Sequence, residues 1–120
     1  MQLSNLEYLP NHIITERLDV VYGNTVRSKH VGKDFLSGLK NIVGGELTAY
    51  TELLEEARQE AMNRMITKAQ GLGADAIVGI RFSTSNITAD ASELFVYGTA
   101  VKVQKKFDPF GQSLDELPAG

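Results

Sequence analysis

This 120-residue chain has 15 acidic residues but few imidazole or sulfur ligands, and their spacing gathers few of them together. There are two histidines and no cysteine. His12 and His30 stand at opposite ends of the first strand-forming region. The spacing from His12 to Glu16 is useful for a shared ligand only on a helix, and this segment is not helix-forming. The soft ligands are Met1, Met62 and Met65. Of these, Met62 and Met65 fall on an apolar stripe, where thioethers serve as core filler. A heavy-metal centre therefore cannot be built within one copy. A symmetric site, with one ligand from each copy of a ring, is the version that survives. Two exposed histidines are the plainer reading.

Other constellations are weaker. No G-x-S-x-G elbow occurs, and no histidine stands beside a candidate serine or threonine nucleophile. Carboxylates pair at Glu55-Glu56, Asp90 with Glu93, and Asp115-Glu116. Acid–base work needs one of a pair held in a dry pocket, and these positions read as solvated charge. Gly44-Gly45-Glu46 precedes a helix N-terminus, where backbone N–H groups could hold an anion, but no P-loop lysine and serine follow. A turn between helices accounts for it. Lys102, Lys105 and Lys106 form a short basic cluster near Phe107 and Phe110, too small a surface for nucleic acid. Phe107-Asp108-Pro109-Phe110 could dock on another chain or fold back on its own. No catalytic or cofactor-binding residue is assigned, and no metal-ligand set.

Composition agrees with that restraint. The net charge of −3 and pI near 5.3 give no electrostatic reason to bind nucleic acid or an anionic membrane. Without cysteine, disulfides, thiolate metal sites and cysteine nucleophiles are excluded. Residues Met1 to Asn11 lack a basic start and a signal-length apolar block. The longest apolar run, Ala76 to Ile80, is far short of a bilayer span of about 20 residues. A cytoplasmic protein is expected.

The elements that must position these residues follow from periodicity. Residues 1–12 read as an N-terminal arm, 13–104 as a single α+β domain and 105–120 as a C-terminal tail. From Ile13 to Val26 the chain is strand-like, rich in β-branched and aromatic residues. Gly23-Asn24 is read as a bulge within one strand in preference to a turn between two. Phe35, Leu36, Leu39, Ile42 and Val43 predict a short helix ended by Gly44-Gly45. A long helix spans Thr48 to Leu72, with Thr48 as N-cap and Gly71 and Gly73 closing it. Two strands follow, around Ala76–Phe82 and Leu94–Val103, with the polar stretch Ser83 to Ser92 as their hairpin loop. Gly23, Gly79 and Gly98 interrupt strands, which marks a bulge or a close approach by a helix. A shallow groove lined by Tyr22, Tyr97 or Arg81 is the less favoured reading of the same glycines. The order β-α-α-β-β predicts a two-layer subunit, with a small antiparallel sheet under one long helix and the first strand beside the last.

The long helix carries the most information. Tyr50, Leu53, Leu54 and Ala57 share one face, and Ala61, Met62, Met65, Ile66, Ala69 and Leu72 another. At about 100° per residue the apolar arc swings by roughly a quarter turn between the halves. One sheet needs an arc of only about 100°. The surplus predicts a second surface, most simply another copy of the chain.

Four stretches together resemble the YbjQ-like family. They are Ile42-Val43-Gly44-Gly45-Glu46; Tyr50 with Leu54-Glu55-Glu56-Ala57-Arg58; Gly73-Ala74-Asp75-Ala76-Ile77-Val78-Gly79; and Gly98-Thr99-Ala100-Val101. The resemblance covers about Ile13 to Val103. It implies a dodecin-like subunit assembled as a ring, commonly a pentamer, in a family often labelled as heavy-metal-binding but without an established catalytic set. Where family members often carry acidic residues in the second strand, this chain has Arg81, Ser83 and Thr84, so a metal role for those carboxylates does not carry over. The expected function is a non-enzymatic, ring-forming binding or structural module. The alternatives are a metal-binding or metal-handling protein and a small enzyme, either with its site formed between subunits.

Overall fold

A row of three alanines and one methionine explains how the long helix packs. In the computed structural model of the chain, which describes residues 1–28, 46–88 and 91–106, Ala57, Ala61, Met65 and Ala69 are buried. Each four-residue step advances such a row by about 40°, which is the winding expected of the apolar arc. Leu54, Met62 and Ile66 are only half-buried, and Leu72 is 44% exposed. The apolar surplus is therefore a flank, with Met62 and Ile66 about 100° to one side of Ala61 and Met65.

The element order is β1 (Gln2–Leu3), β2 (His12–Ser28), α1 (Glu46–Gly71), β3 (Ala76–Thr88) and β4 (Ala91–Lys105). The sheet order is β1-β3-β4-β2. The first long strand lies beside the last, as predicted. Their directions oppose, because Asn11 and Thr15 bond to Lys106 and Lys102 respectively. The sheet is not wholly antiparallel and not three-stranded, however. Gln2 and Leu3 pair in parallel with Ala76 and Ile77, which makes it a four-stranded mixed sheet. Two residues are too few to show any period.

Other expectations also need correction. The polar stretch Ser83 to Ser92 is mostly strand, since β3 runs to Thr88 and β4 starts at Ala91. Thr84, Ile87 and Thr88 are β-branched, and pairing with β4 outweighs a polar composition that alone reads as loop. Helix α1 begins at Glu46, so Thr48 lies inside its first turn and is not its N-cap. Strand β2 is unbroken through Gly23-Asn24, which favours one strand over two. The predicted helix from Phe35 to Val43, Gly44-Gly45, His30 and the tail from Phe107 lie outside the described residues.

The chain divides into two compact units, each with strands and part of α1. In the unit formed by Met1–Val21, Ile66–Arg81 and the chain from Tyr97, the core is Leu9, Ala76, Val78 and Val101, with Val103 packed against it. Helix α1 ends there in a Schellman motif. The Ala74 N–H reaches the Ala69 carbonyl (3.1 Å), the Gly73 N–H reaches that of Gln70 (3.0 Å), and Gly73 has φ +76°. Gly79, at φ +63°, is a bulge: its N–H and that of Ile80 both turn to the N-terminal segment, meeting the carbonyls of Leu6 and Ser4. Gly98 makes room for β3, since a Cβ there would stand 2.7 Å from Ile77 Cγ2.

In the other unit, Tyr22–Met65 with Phe82–Val96, the helix lies close on β2. A Cβ at Gly23 would stand 2.7 Å from the Met65 amide nitrogen and would overlap the Ala61 carbonyl. Thr25, 1% exposed, donates its hydroxyl to the Ala57 carbonyl (3.2 Å). This is the close helix approach expected at Gly23.

Candidate functional site

A polar concavity belongs to the first unit. It is a shallow depression of about 570 Å³ lined by Met1, Gln2, His12, Gln70, Ala74, Asp75, Val103 and Lys105. Each side chain has a structural reason to be there. Gln2 is placed by the parallel pairing of β1, and Gln70 by the last turn of α1. His12 opens β2 after Asn11, which adopts φ +63°, and the His12 N–H donates to the Leu9 carbonyl. Asp75 ties the helix exit to β4: its N–H donates to the Val101 carbonyl (3.0 Å), and its Oδ2 accepts the Val103 N–H (3.1 Å).

The His12 ring is oriented. Its Nδ1 lies 2.7 Å from the Pro10 carbonyl oxygen, which can only accept, so Nδ1 carries the hydrogen. In neutral imidazole the lone pair is then on Nε2. That backbone-anchored tautomer is the one metal-ligating histidines commonly use. One imidazole and one carboxylate already bonded to a backbone N–H are nevertheless too few for a structural or heavy-metal centre. Among the described residues, no three histidine or carboxylate side chains gather to hold an ion, and the chain has no cysteine. The donor set of the described residues does not fit a heavy metal.

A second depression, of about 290 Å³, lies in the other unit and is lined by Glu55, Arg58, Gln59, Met62 and Phe82. It combines an apolar floor with charges of both signs. Nearby, Glu60 joins Arg27 of β2 (2.9 Å) and Arg64 of its own helix (2.5 Å). The Arg27 hydrogen bond, with the charges of Arg64 and Arg27 added, lowers the Glu60 pKa against the opposing effect of burial. Glu60–Arg64 is the pair that helical spacing predicts. Arg27 joins it across 33 residues, and no local spacing signals that.

Several of the remaining predicted groups have structural partners. Asn24 donates to Glu93 (3.0 Å), while Glu55 and Glu56 are exposed. Asp90, Asp115 and Glu116 lie outside the described residues. The Arg81 guanidinium donates to the carbonyls of Asn5 and Ile80, and the Tyr22 ring packs on Phe95 with centroids 5.5 Å apart. The hydroxyls of Ser4, Thr15 and Thr25 donate to backbone carbonyls, so none of them is presented to a base.

Comparison with known proteins agrees with the sequence motifs. Residues 1–104 match the model of the YbjQ family, described as "Putative heavy-metal-binding". The chain belongs to that family. Relatives named UPF0145 protein include one from Psychrobacter arcticus, 72% identical over 120 residues, covering 99% of this chain and 76% of that one. Another, from Acinetobacter baylyi, is 77% identical over 106 residues, covering 85% of this chain and 98% of that one. A third, from Archaeoglobus fulgidus, is 58% identical over 102 residues, covering 85% and 94%. In structure the chain is similar to a protein of unknown function of the DUF74 family from Pediococcus pentosaceus. The TM-score is 0.58 at 17% identity, covering 87% of this chain and 98% of that one, and it shows the fold alone.

The YbjQ family match ends one residue before the end of β4. Within it, the stretch Gly73 to Gly79 serves the backbone: a helix cap at Gly73, a strap to β4 at Asp75 and a bulge at Gly79. No helix among the described residues of this YbjQ member is long and apolar enough to cross a membrane.

Proposed function

We propose that this UPF0145 protein is a non-enzymatic, cytoplasmic homo-oligomer, a pentameric ring that serves as a binding or structural module. One observation carries the reading. The buried row of α1 is fully used by its own copy, yet Leu54, Met62 and Ile66 beside it are left half-covered. Covering them removes apolar surface from water, at about 25 cal/mol per Å². A partner helix or sheet on that flank does this without disturbing the subunit core. The variants Met62→Glu and Ile66→Glu test it. Each should lower the solution mass while leaving far-ultraviolet circular dichroism intact. A full-sized assembly in both variants would reject the flank as the contact.

A second reading, metal handling at a site shared between copies, is favoured by the His12 tautomer and by the family description. One copy offers the His12 Nε2 and the Asp75 carboxylate, and a complete ligand set needs groups from a neighbour. Titration of the assembled protein with Zn²⁺ and Ni²⁺, beside His12→Ala and His30→Ala, tests it. Stoichiometric binding lost in His12→Ala supports it, and no stoichiometric binding rejects it.

A further inference from the structure

In the unit formed by Tyr22–Met65 and Phe82–Val96, the two faces of the sheet are used differently. On one face Gly23 admits α1 and the Thr25 hydroxyl bonds to the Ala57 carbonyl. Alternation along β2 then turns Tyr22, Asn24 and Val26 to the opposite face. There Tyr22 is 47% exposed and Val26 49%, while Asn24 is half-buried. Strand β4 answers them in step. The Tyr22 ring packs on Phe95 with the planes tilted by 35°, and the Asn24 side-chain amide donates to the Glu93 carboxylate (3.0 Å). From the first pair to the second is two residues forward on β2 and two back on β4, the step between neighbouring pairs on one face of an antiparallel ladder. Two rings and a carboxylate therefore lie side by side, away from the helix.

The pairing of the rings is explained by the sheet, because cross-strand aromatic pairs stabilise it. The carboxylate beside them is not. Its partner Asn24 is a neutral amide, and among the described residues no cation pairs with Glu93. The described arginines of this unit serve the helix side: Arg27 and Arg64 meet Glu60, and Arg58 lines the second depression. Ring faces carry negative potential that attracts a cation, and Glu93 adds a full negative charge. The type of cation follows from what else is offered. A metal ion or a bare ammonium holds its water tightly and needs several polar acceptors in exchange. Here one carboxylate and one amide, already bonded to each other, stand among two rings and a valine. A methylated nitrogen is weakly hydrated and presents C–H groups, which such a surface can cover.

We infer that Tyr22, Phe95 and Glu93 form a binding site on the open sheet face for a small organic cation bearing a quaternary or methylated nitrogen. All three residues belong to one unit of one copy, so the site goes beyond the assembly reading and does not rest on it.

Choline chloride is the probe, and neohexyl alcohol, its uncharged carbon isostere, is the comparison. Each is titrated into the isotope-labelled full chain at constant ionic strength, and backbone amide chemical shifts are followed. Choline should give saturable shifts centred on residues 22–26 and 91–95, with the alcohol binding about threefold more weakly or worse. Tyr22→Leu removes the ring and keeps apolar bulk, and Glu93→Gln removes the charge while keeping an acceptor for Asn24. Each should keep the circular dichroism of the parent and bind choline about threefold more weakly. The site is overturned by no saturable shift, by shifts centred elsewhere, by equal binding of the alcohol, or by folded variants that bind choline as the parent does. Should a variant fail to fold, the parent decides: preference for choline over the alcohol at residues 22–26 and 91–95 supports the site, and lack of preference rejects it.

Discussion

At Gly23 the absence of a side chain lets α1 reach β2, and the contact is with backbone that cannot swing away. Gly23→Ala should therefore cost roughly 1–3 kcal/mol or more, as overpacked sites do, measured by urea unfolding. Gly71 makes the contrast, because a Cβ there meets nothing within 4 Å and its φ is not positive. Gly71→Ala should stabilise by about 0.5–1 kcal/mol by reducing the freedom of the unfolded chain. Glu60 gives a prediction in pH. Its folded pKa is lowered by Arg27 and then Arg64, so its contribution is present above the ordinary carboxylate value and fades as pH falls through the lowered one. Unfolding of the parent and of Glu60→Gln should differ near neutrality and converge in acid, and a constant difference at every pH would contradict the role. The side chains are substantially exposed, so the effect is small and should shrink further in salt.

Among the elements, the exit of α1 is the joint on which the first unit depends. Gly73 must adopt a left-handed conformation, and a Cβ there is opposed by backbone sterics although the space is open. Gly73→Ala should cost about 1–2 kcal/mol in thermal or urea unfolding, while Gly73→Asn should recover part of it. This joint was legible in the sequence, since Gly73 follows the last turn of a periodic apolar run. The course of β2 through Gly23 was legible too, because Tyr22 and Thr25 keep strand chemistry on both sides. What was not legible depends on long-range pairing. Gln2 and Leu3 form a strand only because β3 is there to receive them. Ser83 to Thr88 carries a loop-like composition and becomes strand because β4 returns alongside it. The candidate site divides the same way. His12 stood out as a possible ligand, but its ring orientation comes from the Pro10 carbonyl, and its nearness to Asp75 from a fold that joins residues 63 positions apart. Arg27 with Glu60 is a further pairing of this kind.

For the whole molecule, the account rests on a helix flank left half-covered beside a buried row that is fully used. That flank is the observation behind the proposed assembly of copies, and the stretch Gly73 to Gly79 serves a helix cap, a strap and a bulge. The family description raises metal, but among the described residues the first depression offers one imidazole and one carboxylate where a structural centre wants about four ligands. The most direct test is sedimentation velocity of the purified chain across a wide concentration range. The account predicts one species several times the 13.1 kDa of the single chain, near fivefold, with folded protein throughout. A well-folded species of subunit mass over the whole range would contradict it.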